Sequence, residues 1–415
     1  MRFFIGLLLA LALGVMGCSE TSGSAGDGGA GGGGVATDPG TAEWDPVPRD
    51  RVAEECGLDP EILDAVDEAF GFAWGVVRYG KLCHEYYPTG EDRAEQVMAV
   101  SKTFGALLTG TVAYQTEDFQ RTGRKTGPLS DEDRVDHWLD SFDFNPDAKV
   151  AHVLAMVATN DDLGFGSRDF IYDVVGVDQI NRLADVATLA IAQDPANLGE
   201  NLEEFIQQFL FDPLGMKSSS WSEDGGSIGV GWSSTVRDMG RFGLLILNDG
   251  VWSGERVLEE EWIQKMTHPA FEDASTGYGY LTWLNSNSNY LLPYSTERHQ
   301  GPQEPCSPAA TWPEYPHGLS ESPDCYYEAP WTCDQEYDVG VWAAGGLNAN
   351  CIVGHPGLDM VLVSKNAGLD QPGCMSLIWP GMRSALIALD PTFAGDEEAF
   401  CEAYGSNAYA PDLRR

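Results

Sequence analysis

Apolar residues recur at helical spacing along much of the chain. Ile62, Leu63, Val66 and Phe70 follow Asp59-Pro60, an N-cap with proline at the first helical position, so a helix is predicted over 61–72. Trp74–Tyr79 and Lys81–Tyr87 are rich in β-formers and flank Gly80, which predicts a hairpin. Val97–Tyr114 is apolar with helical period, and Leu129-Ser130-Asp131 opens a further helix carrying Val135, Trp138 and Leu139. Further helices are predicted near 150–157, 176–192 and 202–210. Thr235-Val236-Arg237-Asp238 has the form of a capping box, Thr with an acid three residues later, and Gly250 ends the helix it starts. A short helix is predicted over 259–266, strands over 278–284, 339–344, 351–353 and 360–364, and a closing helix over 375–389. Hairpin, helical middle, strands and final helix imply an α+β fold. One antiparallel sheet, built from both chain ends and flanked by helices, carries an inserted helical subdomain.

The segment 286–338 breaks the pattern. It has eight prolines, Cys306, Cys325 and Cys333, and no periodicity, so it is expected to be a Cys/Pro-rich insertion stapled as a flap.

The amino terminus adds an address. Arg2 precedes an apolar run from Phe3 to Met16, too short for the roughly 20 residues of a spanning helix, so residues 1–17 are expected to be a signal peptide. Val15-Met16-Gly17-Cys18 is similar to a bacterial lipoprotein cleavage box. It implies a mature chain beginning at a lipidated Cys18, anchored to a membrane and extracytoplasmic, in the bacterial cell envelope. Residues 18–50 then form a flexible Gly-rich tether, 51–405 the folded domain and 406–415 a tail. Eight cysteines follow Cys18, an even number that suits disulfides in an exported protein. Neither they nor the seven histidines have metal-ligand spacing, so no metal or other cofactor is expected. The net charge of −40 excludes nucleic acid as a partner and favours neutral or cationic ligands by its bulk field.

The candidate chemistry lies in Val97-Met98-Ala99-Val100-Ser101-Lys102-Thr103-Phe104-Gly105-Ala106-Leu107-Leu108. This stretch resembles the nucleophile helix of the serine β-lactamase and penicillin-binding-protein superfamily, in which a Ser three residues before a Lys opens the helix. Residues three apart share a helical face, so the amine sits beside the hydroxyl and takes its proton. Here the lysine is Lys102, and the Ser position holds Ala99. Val76–Leu82, Val153–Met156, Phe211-Asp212-Pro213-Leu214-Gly215-Met216 and Thr235–Gly254 are similar, in order, to further elements of the class C β-lactamase-related group, which includes esterases, D-amino-acid peptidases and amide-oligomer hydrolases.

That resemblance assigns two more elements. Tyr172, in Phe170–Val177, matches the phenol that shuttles the nucleophile's proton, with Val174 in place of a polar residue two positions later. Trp342-Ala343-Ala344-Gly345-Gly346 matches the third-motif strand. Ala343 or Ala344 replaces its Lys or His, and Gly345 and the backbone remain available for an oxyanion hole. Lys125-Thr126-Gly127 spells the third motif too early in the chain and is read as a solvated turn. Ser101, adjacent to Lys102 on the helix, points about 100° away from it. Gly225-Gly226-Ser227-Ile228-Gly229 spells a nucleophile elbow but is read as a glycine-rich loop.

The implied protein is a lipoprotein of serine hydrolase fold, catalytically impaired at Ala99, that binds a small-molecule, peptide or cell-wall-like ligand. The alternative is an active hydrolase working through an acyl-enzyme, either because another group substitutes for the nucleophile or because Ser is native at position 99.

Overall fold

The structure is a computed structural model. It describes residues 38–159, 174–222, 227–271, 278–284 and 341–366, together with Ile378, Met382, Ala385 and Leu386. The signal segment, Cys18, Tyr172, Gly225, the insertion 286–338 and the tail lie outside the described residues.

Strands β1 (Ala73–Arg78) and β2 (Lys81–Tyr86) form the hairpin. Tyr79 and Gly80 both have positive φ, 54° and 72°. That twist suits a two-residue hairpin turn, and the glycine adopts it without steric cost. Helix α1 (Val52–Cys56) and helix α2 (Pro60–Phe70) precede the hairpin, and Asp59 caps α2 by accepting from the Glu61 N–H at 2.9 Å.

After the two-residue strand β3 (Glu95–Gln96) comes α3 (Val100–Gln115), which is buried throughout from Val100 to Val112. A helix apolar on all sides must be enclosed, and α3 is. The helical middle follows with α4 (Val135–Trp138), α5 (Val150–Leu154), α6 (Val174–Ile191), α7 (Pro195–Leu198), α8 (Leu202–Ile206), α9 (Asp212–Leu214) and, after β4 (Ser220–Trp221), α10 (Ser227–Val230). Strand β5 (Trp232–Ser234) joins β3 and β4 in a small sheet. Thr235 then caps α11 (Val236–Leu247), its hydroxyl accepting from the Asp238 N–H at 3.2 Å. The hairpin β6 (Val251–Trp252)–β7 (Glu255–Arg256) and helix α12 (Glu260–Thr267) follow.

Strands β8 (Trp283–Leu284), β9 (Trp342–Gly346), β10 (Asn350–His355) and β11 (Met360–Lys365) complete a six-stranded antiparallel sheet of order β2-β1-β11-β10-β9-β8. The carboxy-terminal half of the chain thus pairs with the amino-terminal hairpin through β11 and β1. One sheet face packs on α3 and α11, with Trp342, Ala344, Ile352, Val361 and Val363 in that cluster. Trp74, Val76, Ala343, Val353 and Leu362 face the other way, into a second cluster with α1, α2, Ile378, Met382, Ala385 and Leu386.

Two cysteine results bear on the expected disulfides. Cys56 is bonded to Cys83, tying α1 to β2 across 27 residues. Cys351 is also disulfide-bonded, to a cysteine outside the described residues.

The folded body begins earlier than the tether assigned to 18–50. Arg241 donates to Gly40 O and Ala42 O at 2.6 Å and to Leu214 O at 2.9 Å. Trp44 is 6% exposed and lies under the Arg241 guanidinium. The glycine and serine richness before Gly40 hid one aromatic anchor just after it.

Two buried titratable groups set an acid response. Burial pushes His355 down to about 3, with Nδ1 accepting from the Leu358 N–H at 3.1 Å. Burial pushes Asp238 up to about 6, against the hydrogen bonds it accepts from Ser218 N and Ser219 Oγ. As pH falls below about 6.5 the unfolded histidine takes a proton and native His355 does not, so stability is lost. Asp238 opposes this, because the native carboxyl binds its proton first, between about 6 and 3.8. Urea unfolding at pH 6.5 and 4 should show that His355→Gln loses less stability on acidification than the unmutated protein does.

Candidate active site

The start of α3 is built without a side-chain cap. Ala99 occupies the N-cap position with φ −67° and ψ −6°, already helical. The preceding Met98 has φ 53°, a left-handed conformation that costs a non-glycine residue of the order of 1 kcal/mol and clusters at functional sites. The turn closes tightly: Ser101 N donates to Met98 O at 3.0 Å, and Lys102 N to Ala99 O at 3.0 Å. The Ala99 N–H makes no backbone hydrogen bond among the described residues.

Ala99 is half-buried, and Lys102, three residues on, is 4% exposed. Burial pushes the Lys102 ammonium down to about 8. At pH 7 about one molecule in ten then carries a neutral amine there, against fewer than about one in a thousand for an ordinary lysine.

Strand β9 closes against this turn. A Cβ placed on Gly346 would lie 2.7 Å from Val97 O, 3.0 Å from Ala99 N and 3.1 Å from Val100 N, so only glycine permits the approach. The residue touching the Ala99 backbone is therefore Gly346. Gly345 is one position back, opposite Cys351 on β10. Ala344 points to the α3 side of the sheet and Ala343 to the opposite cluster. Beyond the strand, Asn348 and Ala349 are both left-handed at φ 62° and 54°, and Leu347 is 46% exposed. Backbone N–H groups at a helix start and a neighbouring strand can hold a developing oxyanion with no side chain.

Ser101 is 0% exposed, and its Oγ accepts from the Trp232 N–H at 3.1 Å, which makes it a core residue. Lys125 pairs with Asp140, and Thr126 Oγ1 accepts from Thr122 N and Gly123 N at 3.0 and 2.9 Å, the pattern of a surface turn. Ser227 opens the four-residue helix α10, and Gly229 N donates to Asn181 Oδ1 at 2.9 Å. The whole stretch is expected from sequence to be a loop. Its described part is helical, and Ile228 packs into the space left at Gly105 of α3. Tyr172 falls outside the described residues, and of Val174 only the helical backbone is described. A cavity of about 580 Å³ between Ser141–Phe144 and the Asp178–Arg182 face of α6 contains none of the motif residues.

Among solved structures the chain is similar to a β-lactamase from Mycobacterium bovis, with 16% identity, a TM-score of 0.50, and 79% of this chain and 98% of that chain covered. It is also similar to unliganded simvastatin synthase from Aspergillus terreus, with 12% identity, a TM-score of 0.51, and 79% and 97% covered. No protein-family model and no curated protein matches the sequence. The chain has the α+β fold of these structures, an antiparallel sheet flanked by helices. No described helix is long and apolar enough to cross a membrane.

Proposed function

We propose that this chain is a non-acylating lipoprotein of the serine β-lactamase fold, tethered outside the cytoplasm through Cys18, that binds a small-molecule, peptide or cell-wall-like ligand at the Ala99–Gly346 cleft. One observation carries the reading. The tight turn, the buried Lys102 and the close strand are all in place, and the residue at their meeting point has a methyl group where acyl transfer needs a hydroxyl. Removing the nucleophile of a serine hydrolase costs about a millionfold in turnover, which leaves binding as the remaining capacity. The net charge of −40 favours a neutral or cationic ligand, and exposed Leu347 offers apolar contact beside the cleft. The reading requires no cofactor.

The test is labelling with a fluorescent penicillin and a fluorophosphonate. The unmutated protein should remain unlabelled by either. Stoichiometric phosphonate incorporation would establish the alternative, an active serine hydrolase. For the anchor, Cys18→Ala should release the protein into the soluble fraction; retention on membranes after a salt wash would rule lipidation out as the anchor.

A further inference from the structure

We propose that the cavity of about 580 Å³ between Ser141–Phe144 and α6 is a binding site for an organic ammonium ion that carries an apolar body. The site is separate from the Ala99 cleft and does not depend on how that cleft is read.

The walls are held by specific contacts. Asp178 and Arg182 are four residues apart on α6 and share a face. Arg182 donates from Nη2 to Ser141 O at 3.1 Å, which ties the 141–144 segment to the helix. Its Nη1 pairs with Asp185 at 2.8 Å, so the cation among the described lining residues is already neutralised. Gln179 is 4% exposed, and its amide is engaged by Thr159 Oγ1 at 2.7 Å.

Two kinds of surface then remain for a ligand. Phe142 and Phe144 are half-buried against the core, with ring centroids 4.6 Å apart, and both line the cavity. They offer apolar area and an attraction for cations. Asp143 and Asp178 line the same cavity, are exposed, and make no side-chain hydrogen bond or ion pair among the described residues. Nearby aspartates differ: Asp133 pairs with Arg121, Asp136 and Asp147 with Arg134, and Asp140 with Lys125.

These surfaces select the occupant. The volume is in the ordinary range for small-molecule sites, roughly 300–1,000 Å³. An anion is repelled by both carboxylates and by the net charge of −40. A neutral apolar compound leaves the carboxylates unmatched, and a hydrated metal ion gains nothing from the rings. An ammonium head with an aromatic or aliphatic body satisfies both surfaces.

The full chain would be titrated by calorimetry, at neutral pH and fixed ionic strength, with phenylbutylamine and with phenylbutanol, its neutral counterpart. The expected result is saturable binding of the amine, about twentyfold tighter than that of the alcohol. Asp143→Asn and Asp178→Asn should each weaken the amine about fivefold and leave the alcohol unchanged. Phe142→Leu should weaken both. Glu203→Gln, which removes an exposed carboxylate of α8 outside the cavity, should alter neither. The aspartate variants change exposed groups, and thermal unfolding checks that they fold. Absence of saturable amine binding, or equal affinity for amine and alcohol, overturns the proposal. An equal loss in Glu203→Gln and Asp178→Asn does so too, because it would assign the attraction to the bulk field. Loss of amine binding in Ala99→Phe, with both aspartate variants unaffected, would place the amine in the Ala99 cleft and equally overturn it.

Discussion

Ala99→Ser should convert this protein from one expected to ignore fluorophosphonate to one labelled by it, with the new adduct at position 99. The expectation follows from how little is missing. A serine here adds one oxygen at a half-buried position opening the helix, where the backbone is already helical and accepts serine without strain. Lys102 lies one turn further on, with its amine held near 8, matched to accepting a hydroxyl proton at neutral pH. Gly346 stands against the Ala99 backbone, where the oxyanion would form. Recovery should fall far short of the roughly millionfold that a nucleophile is worth. The resemblance implies that Val174 and the alanines of β9 stand where side chains would orient substrate. The measurable outcome is a slow first-order labelling rate in the variant, at least about a hundredfold above the unmutated chain, with weak hydrolysis of activated esters. Labelling should vanish again in Ala99→Ser/Lys102→Ala. If Ala99→Ser folds normally and stays unlabelled, the turn is not a disabled acylation site.

The elements read correctly from sequence were those with local signals. Asp59-Pro60 and Thr235–Asp238 each fix a helix start by a side chain satisfying a nearby N–H, and Gly80 fixes the hairpin turn. The strands β3, β4, β6 and β7 are two residues long, and a period cannot be read from two positions. The helix expected after Leu129 shrinks to Val135–Trp138 because Asp133 draws the chain into turns: its Oδ2 accepts from Ser130 N and from Trp138 Nε1 at 3.1 and 2.9 Å.

At the site, the spacing of Ala99 and Lys102 was legible because helix geometry is fixed by sequence distance. The identity of the glycine on the opposing strand was not. Ala343, Ala344, Gly345 and Gly346 are all small. Which one meets Ala99 depends on how β9 lies against α3, and a shift of one residue reverses every side chain's face. The run of four small residues was itself a signal of close backbone approach. The role of Ser101 was half visible. Its direction followed from the helix, but its partner, the Trp232 N–H, lies 131 residues away.

Lys102→Met should make the protein more stable by about 2 kcal/mol at pH 7, an unusual outcome for a substitution at a 4% exposed position in the first turn of a core helix. The depressed ammonium carries the argument. Lys102 is held near 8 by burial, against an ordinary 10.5, and each unit is about 1.4 kcal/mol of bias against the charged form. Below pH 8 both folded and unfolded chains carry the proton, and the native state bears the whole penalty, about 3 kcal/mol. Hydrogen bonds lost with the amine offset about 1 kcal/mol of the gain, and methionine keeps the volume and helix propensity. The pH dependence gives an independent sign. As pH rises through 8 the native amine sheds its proton while the unfolded one keeps it until about 10.5, so stability conferred by the unmutated residue rises across that window. Lys102→Met should lack that rise, so the two profiles cross near pH 10, above which the unmutated protein is more stable by about 1 kcal/mol. Urea unfolding of both proteins at pH 7, 8, 9 and 10 measures the difference. A destabilised Lys102→Met at pH 7, with parallel profiles, would mean that the ammonium is a structural member of the core. A stabilised one would mean that the fold keeps a costly charge at Ala99 for a purpose other than its own cohesion, which is how a site that still acts on a ligand differs from one that has become only scaffold.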